Sequence, residues 1–78
     1  MEHFWKNLIS EMKNYNHTVA GLLRGCAIKN YDKQTLIIET IYKFHKDKLN
    51  EIKTMQALSA TCKLLTGKVI EVKVELKA

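Results

Sequence analysis

The stretch Cys26-Ala27-Ile28-Lys29-Asn30-Tyr31-Asp32-Lys33-Gln34-Thr35-Leu36-Ile37-Ile38-Glu39-Thr40 decides the fold. Its two halves, Cys26 to Tyr31 and Thr35 to Thr40, carry β-branched and aromatic residues and are separated by the polar Asp32-Lys33-Gln34. Two such segments around a short polar connector predict a β-hairpin. The connector lacks the Asn-Gly or Asp-Gly pair that gives the strongest hairpin signal.

Downstream of the hairpin the period becomes helical. Phe44, Leu49, Ile52, Met55, Leu58, Cys62 and Leu65 mark an apolar stripe from Lys43 to Thr66, and Gly67 closes it. The Asn50 to Thr54 region can divide this helix, with Thr54 as the cap of the second half. The tail then alternates strictly, with Ile70, Val72, Val74 and Leu76 on one face and Glu71, Lys73 and Glu75 on the other. That is the pattern of a half-buried strand.

Upstream, Phe4, Trp5, Leu8, Ile9, Met12 and Tyr15 recur at helical spacing, with Lys6, Asn7, Ser10, Glu11, Lys13 and Asn14 between them. Asn16 is placed to cap a second helix, because its side chain can accept from an orphan amide of the first turn. That helix carries Val19, Leu22 and Leu23 inward and ends at Gly25, where a left-handed terminal conformation is cheapest for glycine. The order is therefore α-α-β-β-α(-α)-β. It predicts one α+β domain over residues 1–78, two layers thick, with helices packed on a three-stranded sheet in a KH-like arrangement.

Composition agrees. The 78 residues are 46% hydrophobic and 27% charged, with no proline and three glycines, which is too apolar for a disordered tail. Two cysteines cannot build a disulfide framework, so a reduced, cytoplasmic setting is expected. No apolar run approaches the roughly 20 residues that span a bilayer. Nor does Met1-Glu2-His3 open a secretory signal, so no membrane association is expected. Thirteen Lys/Arg against eight Asp/Glu give a net charge of +5, which suits an acidic protein surface or nucleic acid. Arg24 is the only arginine, and arginine is the side chain best shaped for phosphate and guanine. Direct nucleic-acid binding is accordingly the secondary reading.

Little in the sequence points to catalysis. His3, His17, His45, Cys26 and Cys62 are dispersed, without a CxxC, HxxxH or HExxH pattern, and no metal or cofactor is expected. Both cysteines read as packing residues. Gly21-Leu22-Leu23-Arg24-Gly25 lacks the Lys-Ser/Thr that completes a phosphate loop. The densest polar cluster is Phe44-His45-Lys46-Asp47-Lys48-Leu49. Phe44 and Leu49 read as core anchors beneath a charged face, and Lys43, His45, Lys46, Lys48 and Lys53 as a basic surface for a partner. Trp5 reads as a third anchor. A functional KH domain clamps nucleotides with a GXXG loop, and none occurs here.

Phe4-Trp5, Leu22-Leu23-Arg24, Leu36-Ile37-Ile38, Tyr42-Lys43-Phe44-His45-Lys46 with Leu49, and Leu64-Leu65-Thr66-Gly67-Lys68-Val69 follow one another in an order that covers nearly the whole chain. In this order they resemble the C-terminal domain of bacterial DNA polymerase III gamma/tau subunits. A similar order occurs in the N-terminal domain of the replication initiator DnaA. That pattern has a second tryptophan and an Asn-x-Phe before its third helix, and the tryptophan is missing here. The resemblance implies a non-catalytic scaffold domain of the replisome, excised from a longer chain that carries a clamp-loader ATPase module whose motifs do not occur in these 78 residues. The implied partner is the polymerase III catalytic (alpha) subunit, with the replicative helicase as another candidate. In some family members a tail beyond the folded domain contributes to polymerase contact, and the chain stops at Ala78, directly after the last predicted strand. No contact residue of the family carries over by motif.

Overall fold

A computed structural model describes residues 2–77. Met1 and Ala78 lie outside the described residues. The elements run α1 (Glu2–Tyr15), α2 (His17–Arg24), β1 (Ala27–Tyr31), β2 (Thr35–Thr40), α3 (Lys43–Leu49), α4 (Ile52–Thr66) and β3 (Glu71–Leu76). This is the α+β order that the periodicities predict, with the third helical segment divided in two.

The sheet is mixed, in the order β1-β2-β3. β1 and β2 are antiparallel, while β3 lies parallel to β2 from Thr35↔Glu71 to Thr40↔Leu76. A parallel neighbour cannot be reached by a tight turn, so α3 and α4 form the crossover. One face of the sheet carries the helices. Leu36, Ile38, Val72 and Val74 point into that layer and meet Leu8, Met12, Leu23, Leu49, Leu58 and Cys62 from the four helices. The opposite face is open and bears Lys29, Lys73 and Glu75, with Lys29 Nζ 3.0 Å from the Glu75 carboxylate.

A bulge in β1 shapes its edge of the sheet. Ile28 pairs with Ile38 and Asn30 with Ile37, so Lys29 is the extra residue. Ile28 and Tyr31 are three apart and would face opposite sides of a regular strand. The bulge turns both inward, opposite Ile38 and Leu36. Tyr31 then stacks on Phe4, with ring centroids 4.5 Å apart, and ties the start of α1 to the end of β1.

Four expectations need correcting. First, Thr54 caps nothing: it is buried within the first turn of α4. The break falls at Asn50-Glu51, where the Asn50 side chain and backbone N–H both donate to Lys46 O at 3.0 Å and close α3. Second, Gly25 is not left-handed, since its φ is −87°. It is glycine for a steric reason: a Cβ there would lie 3.0 Å from His45 Cε1. Gly67, at φ 75°, does supply the left-handed end of α4. Third, Leu76 continues the alternation of β3 but is 45% exposed, because the helix layer ends short of it. Fourth, Phe44 is not a core anchor. Leu49 is fully buried, Trp5 is half-buried against the core, and Phe44 is 63% exposed.

Candidate protein-interaction surface

The corner between α1 and α2 sets one wall of the site. Asn16 adopts an extended conformation and its Oδ1 accepts from Thr18 N at 2.8 Å and Val19 N at 3.1 Å, the capping role its position predicts. Asn16 N still donates to Met12 O, so α1 runs to Tyr15 before the chain turns. Tyr15 is left at the rim, and Val19 and Leu22 present their sides to the next element.

α3 supplies the other wall. Its first turn opens after Thr40, whose Oγ1 accepts from Tyr42 N at 3.2 Å. Phe44 stands on the solvent side of that turn, and Lys48 places its ammonium 5.8 Å from the Phe44 ring centroid. Between the walls is a cleft of about 350 Å³ whose lining includes Tyr15, Val19, Leu22, Phe44, Lys48 and Lys53, together with Glu51 and Thr54. Glu51 lies 3.6 Å from Lys48 Nζ, and Lys53 adds a further cation to the rim. The cleft is thus apolar within, aromatic at two edges and basic along one side, a composition that suits a protein surface.

The five residues of the predicted basic surface separate in space. Lys48 and Lys53 line the cleft. Lys43 is exposed on the same helix, 3.7 Å from Asp47. Lys46 is half-buried, and its carbonyl closes the helix end. His45 leaves the set: its ring lies against Gly25, 5.0 Å from the Tyr42 ring, and its Nδ1 is buried without a hydrogen-bond partner. Tyr15 and Phe44 join in its place.

A signal for Phe44 was present in the spacing. Phe44 and Leu49 are five residues apart, which is about 140° around a helix, so both cannot point into one core. Three and four residues after Phe44 stand Asp47 and Lys48, which mark a solvent face. For Tyr15 there was no comparable signal, since it closes the apolar stripe of α1 in register.

The cysteines are arranged for packing. Burial pushes the Cys62 thiol up to about 11, and burial also raises Cys26, whose Sγ donates to Leu22 O at 3.3 Å. Both shifts run opposite to those that activate a thiolate nucleophile. Among the described residues no group of three or more His, Cys, Asp or Glu is placed to hold a metal ion. Nor is any described helix long and apolar enough to cross a membrane.

No protein-family model matches the chain, and no curated protein matches it.

Proposed function

We propose that the chain is a protein-interaction module of the bacterial replisome, docking the polymerase III catalytic subunit at the cleft between α2 and α3. The observation that carries the docking site is Phe44, a large aromatic held 63% exposed on an ordered helix beside a basic rim. Aromatic and cationic side chains grouped in this way are where binding energy concentrates. The order of sequence segments shared with the polymerase III gamma/tau C-terminal domain is the support for a replication partner.

The test is interferometry between the protein and the purified catalytic subunit at two salt concentrations. Binding is expected in the micromolar range or tighter, weakly dependent on salt, and reduced at least tenfold by Phe44→Ala. Charge reversal at Lys48 and Lys53 together is expected to lower affinity by a smaller factor, since rim charges act mainly on encounter. Tighter binding to single-stranded DNA than to the catalytic subunit, falling steeply with salt, would instead favour the lysines as phosphate ligands. Binding to the replicative helicase alone would keep the cleft and change the partner.

A further inference from the structure

The two edges of the sheet differ. β1 is interrupted by the Lys29 bulge, a common guard against edge-to-edge pairing. β3 has no such irregularity, and its six residues run in continuous register with β2. The ladder also shows which backbone groups are spoken for. Glu71 N donates to Gln34 O and Lys77 N to Thr40 O. In a parallel pair, alternate residues bond to the neighbour, so Glu71, Lys73, Glu75 and Lys77 face β2. Val72, Val74 and Leu76 therefore turn their N–H and C=O groups to the free edge.

We propose that β3 is a self-association edge, through which two copies of the chain pair antiparallel about Val74 and join their sheets into one. The register follows from charge and parity. To keep like faces together, the two-fold axis must pass through a residue of the strand. Centred on Val74, Lys73 meets Glu75 of the second copy, Glu71 meets Lys77, and Val72 meets Leu76. Each of Glu71, Lys73, Glu75 and Lys77 then opposes its complement. The hydrogen-bonded positions are Val72, Val74 and Leu76, the residues whose backbone groups are free. Leu76, 45% exposed on the helix side of the strand, is covered by Val72 of the other copy.

The neighbouring registers fail. Centred on Lys73, that lysine meets itself and Glu71 meets Glu75. Centred on Glu75, Glu75 meets itself and Lys73 meets Lys77. Centred on Val72, only Glu71 to Lys73 of the strand overlap. Like charges directly opposite one another destabilise a pair, and complementary ones stabilise it. The Glu-Lys alternation of β3 is thus self-complementary along the whole strand in one antiparallel register.

Sedimentation velocity over a concentration series reaching the high micromolar range tests this. A monomer that converts to dimer with concentration is expected. Glu71→Lys alone and Lys77→Glu alone each place like charges at both ends of the pairing and should weaken self-association by about tenfold. An equimolar mixture of these two variants should recover the dimer, because each altered charge then meets its opposite in the other variant. Leu76→Pro deletes an edge-facing N–H without touching the ladder to β2, and should abolish the dimer while circular dichroism shows the native spectrum. A protein that stays monomeric throughout would overturn the proposal. So would a dimer that survives both single reversals, or a mixture no tighter than its components. If Leu76→Pro does not fold, the charge variants decide alone.

Discussion

Replacing Gly25 with alanine tests whether the joint between α2 and β1 is set by backbone freedom or by a side chain packed against it. The backbone there has φ −87° and ψ 5°, which alanine adopts without strain. On conformational entropy alone, Gly25→Ala would stabilise the protein by about 0.4–1 kcal/mol. The added Cβ, however, would sit 3.0 Å from His45 Cε1 and 3.2 Å from His45 Nδ1. The ring is already packed, with the Tyr42 ring centroid 5.0 Å away and its own Nδ1 buried. Overpacking of this kind costs about 1–3 kcal/mol. The larger effect wins, leaving a net loss of about 1 kcal/mol. In a domain of this size that lowers Tm by about 4–8 °C. Urea and thermal denaturation of four proteins (wild type, Gly25→Ala, His45→Ala and the double variant) isolate the contact. In the His45→Ala background, Gly25→Ala should become neutral or stabilising. A Gly25→Ala protein as stable as wild type, or a loss that persists without the imidazole, refutes the steric account.

Three other outcomes follow from single residues. Lys33 holds φ 71° in the hairpin turn, a conformation that disfavours residues with a Cβ. Lys33→Gly should therefore raise stability by a few tenths to about 1 kcal/mol in urea titrations after glycine's own entropy is deducted; a decrease would show that the turn is not strained. The Asp32 carboxylate accepts from Thr35 N at 2.7 Å and Gln34 N at 2.9 Å, and these bonds hold its pKa below the ordinary carboxylate value. Because the folded value is depressed, the stability it contributes is present above about pH 4 and lost as pH falls through the folded value. The acid limb of a Tm-versus-pH curve should accordingly be shallower in Asp32→Asn. Cys62, with its thiol pushed up to about 11, should resist iodoacetamide at pH 8 in the folded protein and react freely in urea. Equal rates by mass spectrometry would contradict its burial.

The elements were legible wherever one periodicity dominated over a whole segment. β3 alternates cleanly, β2 is marked by its β-branched run beside a polar connector, and Asn16 marks the corner between α1 and α2 by a local rule that needs no tertiary information. The division of α3 from α4 was visible as a region, but its position was not. Thr54 is a good cap by residue type, yet its side chain is buried in the packed layer, and Asn50 ends α3 from the other direction by bonding Lys46 O. A cap preference is worth about 1 kcal/mol and yields to core placement worth more. Gly25 shows the same limit. A helix end followed by glycine has the usual local explanation, whereas the operative cause is an imidazole twenty residues away in sequence.

The surfaces were harder to read than the core, because apolar periodicity says which residues can be buried and not which remain uncovered. Tyr15 and Leu76 both continue an apolar pattern, and each ends up exposed where the opposing layer stops. Phe44 departs from its pattern by angle, which a closer reading of the helix could detect. The edge of β3 belongs to a different category. Its Glu-Lys alternation satisfies the criterion for a half-solvated strand whichever neighbour it pairs with. Only the bonds from Glu71 N to Gln34 O and from Lys77 N to Thr40 O show that Val72, Val74 and Leu76 carry the free backbone groups. Those same residues are the ones whose antiparallel opposition brings Lys73 to Glu75 and Glu71 to Lys77. Backbone availability admits every register whose two-fold axis passes through a residue of the strand, and side-chain charge then singles out the one centred on Val74 as the register to test.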